Sequence, residues 1–220
     1  MATERITISA PNMKTVQVRI KGTAPLMINK FSNKQKQMML DKQTQGSKAA
    51  KGKAREAKVI DDVFEAARYK SDEGWDGINA ACFRNAMISA CRLVGFKMTM
   101  AKMSVFIVAD GYDVQEGTPL VRILGKEPEV TSMAARNATG VIDVRIRPMW
   151  REWECELRIR YDADQFSATD VMNLLMRAGD QVGVGEGRHD SKASAGMGFG
   201  SFRLMEENES VKPLPKRKVA

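Results

Sequence analysis

The stretch VGVGEGRHDSKASAGMGFGSFRL, Val182 to Leu204, gathers Gly183, Gly185, Gly187, Gly196, Gly198 and Gly200, the chain's one histidine, and the basic residues Arg188, Lys192 and Arg203. Three kinds of chemistry suit such a segment. Glycine tolerates positive φ and has no side chain in the way, so the backbone can approach an anion closely while Arg188 and Lys192 meet its phosphates. His189 supplies the one imidazole of the chain and is a candidate general base. Asp180, Glu186 and Asp190 offer oxygen ligands for a divalent ion.

Spacing narrows these options. Gly183, Gly185 and Gly187 form GxGxG rather than GxGxxG, and they follow a predicted helix instead of a strand that opens one, which argues against a dinucleotide site. Lys192 lies between Ser191 and Ala193, so the GK[ST] of a nucleotide P-loop is absent. A kinase-type glycine loop would also need a lysine on a nearby strand and a catalytic Asp with a metal-binding Asn. One histidine and three acids among glycines more often solvate a loop than catalyse. We therefore expect a non-catalytic loop with no metal and no cofactor, and His189 and Asp190 are the candidates should the chain cut its ligand.

The elements around the loop have clear periodicity. In KTVQVRIKG, Val16, Val18 and Ile20 alternate with Gln17, Arg19 and Lys21, the pattern of a strand with one buried and one wet, basic face. WECELRIRY repeats it with Trp153, Cys155, Leu157, Ile159 and Tyr161, and VIDVRIR with Ile142, Val144 and Ile146. The last two are expected to pair as an antiparallel hairpin through PMWRE. MSVFIVA and PLVRILG read as further strands, and GSFRL as the last.

Helices are predicted over AREAKVIDDVFEAARY and over INAACFRNAMISACRLVG, closed by Gly95. In the second, Phe83, Ala86, Met87, Ala90 and Val94 form a narrow apolar stripe, and Arg84 and Arg92 fall away from its centre toward a surface or groove. A final helix starts at Ser167 with Asp170 three positions on, carries Val171, Leu174, Leu175 and Ala178 on one face, and is expected to end at Gly179 as a left-handed cap. A strand, a helix, antiparallel strands, a helix and a strand make an α+β chain of split βαβ type.

Charge is uneven. The 220 residues carry a net charge of +8, and residues 30–58 alone hold Lys30, Lys34, Lys36, Lys42, Lys48, Lys51, Lys53, Arg55 and Lys58 against Asp41 and Glu56. With Gly46 and Gly52 among small polar residues, this segment reads as a flexible insertion that buries almost nothing and presents a footprint for a polyanion. Aromatic residues are only 6% of the chain, too few for a base-stacking platform of Trp75, Trp150 and Trp153, so backbone recognition is the expectation. Trp153, in phase with Cys155 and Leu157, is expected in the core.

Other classes are disfavoured. The 43% hydrophobic content suits a globular chain, no apolar run nears the roughly 18 residues of a membrane helix, and the start MATERITISAP lacks a secretory signal, so a cytoplasmic location and no membrane partner are expected. Cys82, Cys91 and Cys155 are odd in number and far apart, which fits free thiols better than disulfides or zinc.

A helix, then GVGEGR (Gly183 to Arg188), then GMGFGSFRL (Gly196 to Leu204) opening a last strand resembles the glycine-rich signature loop of the RAMP superfamily, the repeat-associated mysterious proteins of CRISPR complexes. DGINAACFRNAMISACR (Asp76 to Arg92) is similar to their first-helix entry, and VRIKGTAPLMIN (Val18 to Asn29) to their first strand and its exit. The resemblance covers most of the chain, with the insertion at about 30–70 matching least. It implies a ferredoxin-like, RNA-recognition-type core in residues 1–206 as a single domain, with 207–220 a disordered basic tail. By that resemblance the partner is single-stranded nucleic acid, RNA slightly ahead of DNA, and the chain self-associates along it as CRISPR backbone subunits and stand-alone bacteriophage-encoded relatives do. Arg84 and Arg188 would approach the nucleic-acid backbone, and Lys34, Lys36, Lys48, Lys51, Lys53 and Arg55 would clamp it. Two alternatives stay open: a viral interaction protein that mimics a CRISPR subunit, for which the fifteen methionines would make an adaptable surface, and an endoribonuclease of RAMP type.

Overall fold

The computed structural model describes residues 9–31, 33–45, 59–136, 142–191, 196–206 and Glu209. It is a mixed α+β structure of antiparallel sheets. The main sheet joins β1 (Met13–Gly22), β5 (Val105–Val108), β11 (Trp153–Asp162) and β12 (Phe202–Leu204) in the order β12-β1-β11-β5, with β8 (Leu124–Gly125) beside the start of β11. β1 lies antiparallel to both β11 and β12, and β11 antiparallel to β5. The first and last strands among the described residues are therefore neighbours.

The predicted alternation sets the faces of this sheet. Ile20, Cys155, Leu157 and Ile159 are fully buried on one side, with Val16 and Val18 packed at its margin. Arg19, Lys21, Arg158 and Arg160 lie on the other, opposite Glu156, Glu154, Gln17 and Thr15 in register. Helix α3 (Ala80–Ala90) and helix α5 (Ala168–Arg177) cover the apolar side. Phe83 of α3 meets Phe202 of β12 edge-on at 5.8 Å, and Trp153 meets the same ring at 6.2 Å. These side chains join Met87, Val171 and Leu175 in one core.

Capping defines both helices. Asn79 accepts a hydrogen bond from the Ala81 N–H at 2.9 Å, so α3 starts at Ala80; the preceding Asp76–Asn79 form β4 rather than its first turn. A 3₁₀ turn over Cys91–Val94 leads into Gly95 at φ 68°, the expected left-handed cap. In α5, Ser167 and Asp170 form a reciprocal capping box as predicted. Its other end differs from expectation. Gly179 is not the cap: the helix continues as a π turn over Ala178–Val182 and stops at Gly183, φ 74°. Gly179 is needed for closeness, because a Cβ there would stand 2.0 Å from the Phe202 carbonyl oxygen.

Two smaller sheets complete the molecule. One orders β2 (Leu26–Met27), β10 (Ile142–Trp150) and β9 (Glu129–Arg136) as β2-β10-β9; the other orders β3 (Tyr69–Lys70), β4, β7 (Pro119–Arg122) and β6 (Gly111–Tyr112) as β3-β4-β7-β6. The expected hairpin of β10 with β11 does not form. Both edges of β11 are taken by β1 and by β5 with β8, and β10 pairs instead with β9 and β2, so the chain turns between sheets at Arg151 and Glu152. Helix α4 (Met98–Ser104) is an element the periodicity does not predict, and its last two residues, Met103 and Ser104, take the start of the run MSVFIVA expected as a strand.

In the insertion, the described parts are helix α1 (Asn33–Gln45) and helix α2 (Ile60–Ala66). Met39, Leu40, Val59 and Ile60 are exposed, so these parts bury little apolar surface, though Phe64 and Ala67 reach the interior. Of the helix predicted over 54–69, residues 54–58 lie outside the described residues, α2 covers Ile60–Ala66, and the expected end at Tyr69 enters β3 instead. Lys30 departs most from the basic footprint. It is buried and holds both carboxylate oxygens of buried Asp113 at 2.8 Å, with Gln115 at 3.0 Å.

Candidate functional site

The glycine loop is built mainly to pack against its own protein. Gly183, Gly185, Gly187, Gly196, Gly198 and Gly200 all adopt positive φ, between 65° and 79°. At Gly200 an added Cβ would lie 1.8 Å from the Val184 carbonyl oxygen, and at Gly185 one would lie 2.5 Å from that of Met27. The close approach expected for an external anion is used inside the fold. Gly200 N–H donates to Pro25 O at 2.8 Å, Glu186 N–H to Met27 O at 2.8 Å, and Val184 N–H to Gly200 O at 3.0 Å. The loop thus doubles back on itself beneath the exit from β1 and the start of β2.

Side chains then fix its outer parts. Glu186 accepts from Arg147 Nε at 2.6 Å and Arg145 Nη1 at 3.3 Å, two arginines on one face of β10. Asp190 accepts from Ser89 Oγ of α3 and from Arg92 at 2.5 Å. Those bonds, Ser89 first and Arg92 second, hold its carboxyl below the ordinary range. Arg188 donates to Gly185 O at 3.1 Å and does not bridge to Glu186 or Asp190 within ion-pair distance. Burial pushes the neighbouring Cys82 thiol up, while the Arg188 charge and the Gly185 backbone pull it back in part.

The remaining candidates are dispersed. Arg84 donates through Nε to Val105 O at 2.9 Å and to the Lys102 carbonyl, with its guanidinium 5.3 Å from the Phe106 ring centre, so it ties the end of α4 to β5 instead of projecting into a groove. Lys36 pairs with Glu116 at 2.8 Å. Lys34 is in α1, but its side chain, like the whole of Lys48, Lys51, Lys53, Arg55 and Lys192, lies outside the described residues, as does the tail at 207–220 apart from Glu209. Glu209 binds Arg203 of β12.

His189 is exposed, with its ring edge 3.1 Å from where a Gly198 Cβ would stand. Asp180, Glu186 and Asp190 do not converge: Asp180 lines a groove of about 790 Å³ between Cys91–Phe96 and α5, and the other two are engaged as above. Among the described residues no three His, Cys, Asp or Glu side chains come together to hold a metal ion, and no helix is long and apolar enough to cross a membrane. Trp150 and Trp153 are buried, and Trp75 sits beneath Arg122 at 5.7 Å, so these rings form no common stacking surface.

Sequence reasoning missed Arg145 and Arg147 as partners of the loop. Their alternation with Ile146 was visible and placed them on one face of a strand; nothing local said that this face would meet Glu186. The chain matches no protein-family model and has no significant match among curated proteins.

Proposed function

We propose that this protein binds single-stranded nucleic acid through its phosphate backbone without cutting it, and assembles along the strand. The observation that carries the reading is the sheet face turned away from the helices. There Arg19, Lys21, Arg158, Arg160 and Arg203 outnumber the acids that meet them, Glu154 and Glu156 in register on β11, Asp110 on Arg158 and Glu209 on Arg203, in a chain of net charge +8. Arg19 pairs with Glu156 at 3.1 Å, yet its Nη1 is buried with no hydrogen-bond partner among the described residues.

The strand order β12-β1-β11-β5, with α3 and α5 as the crossovers on one side, supports a ferredoxin-like core of the kind the RAMP resemblance implies. On that reading RNA is placed slightly ahead of DNA. A polar, basic face with few aromatics favours phosphate contacts over base stacking, and binding should fall steeply with salt.

The test is the mass of the protein in solution, alone and with single-stranded RNA or DNA of two lengths, at low and high salt. The expected result is an assembly that grows with strand length and shrinks at high salt. Constant mass with no binding at low salt refutes the proposal. Discrete cleavage products that disappear on His189→Ala or Asp190→Ala would replace it with a nuclease.

A further inference from the structure

We infer that Arg145 and Arg147 of β10 form a phosphate site for the strand, occupied in the free protein by the carboxylate of Glu186 as an internal competitor. The inference rests on the proposed binding function and locates one of its contacts.

Three observations carry it. The two guanidinium groups stand at i and i+2 on one strand face, about 7 Å apart along the backbone, and both converge on one carboxylate, Arg147 Nε at 2.6 Å and Arg145 Nη1 at 3.3 Å. Two cations on one anion leave a surplus positive charge, and the Arg145 side chain remains 36% exposed. The loop does not depend on this contact for its position, because backbone bonds from Glu186 N to Met27 O and from Gly200 N to Pro25 O already fasten it to the β1–β2 connection. A carboxylate that holds arginines without being needed to hold the loop is placed to exchange with another oxyanion. A phosphodiester suits such a pair as a carboxylate does, since it too presents two oxygens in a geometry that guanidinium groups bind in parallel. Glu186 then swings from the arginines into solvent as the strand docks.

The shared chemistry is that of phosphate oxygens, and free phosphate is the other possible source. The experiment measures fluorescence anisotropy of a labelled single-stranded oligonucleotide over a salt series, for the unaltered protein, Glu186→Gln, and the double variant Arg145→Ala/Arg147→Ala, with inorganic phosphate as competitor in a parallel arm. Glu186→Gln should bind the strand about fivefold more tightly, the order of a part-exposed ion pair released from competition, with an unchanged salt slope. The double variant should bind more weakly and lose about 0.7 from the slope, the value for the one phosphate that the pair holds. Inorganic phosphate at equal molarity should displace little.

Equal or weaker binding by Glu186→Gln, or an unaltered slope in the double variant, overturns the site while leaving the wider function standing if the unaltered protein still binds. Absence of any strand binding by the unaltered protein overturns both. Displacement of the strand by equimolar inorganic phosphate from the unaltered protein but not from the double variant assigns the site to free phosphate and overturns the strand contact. Unfolding midpoints accompany each variant; should Glu186→Gln or the double variant not fold, the more exposed Arg145→Ala carries the test, with weaker strand binding expected, and an unaltered affinity overturns the site.

Discussion

Replacing Gly200 with alanine separates a glycine that serves the fold from one that serves a ligand. Gly200 has φ 69°, and a Cβ there would fall 1.8 Å from the Val184 carbonyl oxygen, a contact that backbone must yield to relieve. The left-handed conformation alone costs alanine about 1 to 2 kcal/mol. Relief of the clash also breaks or stretches the bonds from Val184 N to Gly200 O and from Gly200 N to Pro25 O, each worth about 1 kcal/mol net, so the total is about 3 to 4 kcal/mol. Gly95 provides the reference. It has nearly the same φ, 68°, with nothing within 4 Å of an added Cβ, and Gly95→Ala should cost only the conformational 1 to 2 kcal/mol or so. Urea unfolding of the two variants should therefore differ by about 2 kcal/mol. Equal destabilisation would refute the claim that the loop glycines are required by contacts inside the protein.

Other predictions follow from the charges. Lys30→Met should cost about 3 to 5 kcal/mol in urea unfolding, because it strands the buried Asp113 carboxylate; Lys30→Met with Asp113→Leu should recover much of that loss, and no recovery would contradict the ion-pair account. The Asp190 carboxyl titrates below its unfolded range, so its contribution to stability is complete above about pH 4 and disappears as pH falls through the lowered folded value. Carboxyl NMR should show its midpoint rising in Ser89→Ala and in Arg92→Ala; no movement in either would reject the assigned causes. Alanine at Lys48, Lys51, Lys53 and Arg55 together should flatten the salt dependence of strand binding by about 2.8 if all four meet phosphates, and an unchanged slope removes the insertion from the interface.

Much of the architecture was legible because it depends on local pattern. Alternation in β1 and β11 gave both faces of the main sheet, and the Ser167 to Asp170 spacing gave the start of α5. Pairing was harder to read. Period two says that Ile142–Trp150 is a strand but not which edge it will find, and β9 beside it, EVTSMAAR, has little alternation to declare itself. The candidate site divides in the same way. Sequence identified the loop glycines and their need for positive φ, but the atoms that require them belong to Met27, Val184 and Phe199, brought there by tertiary folding. Lys30 counted as one more surface charge until Asp113, distant in sequence, neutralised it. Arg84 and Arg92 also looked free in a helical projection, and their acceptors lie on α4, β5 and the glycine loop.

The neighbourhood of the first and last strands has a consequence for synthesis. Ile20 is in register with Leu204 on one side and Cys155 on the other, so β1 leaves the ribosome long before either partner exists. Until β11 emerges, both edges of β1 are open to any passing strand, and β12 closes the second only after Leu204 has been made. Pairings this distant fold slowly, and an open edge is a template for association between chains. The basic residues Arg19 and Lys21 on one face of β1, with Lys14 near its start, give the waiting strand like-charge repulsion against its own copies during that interval.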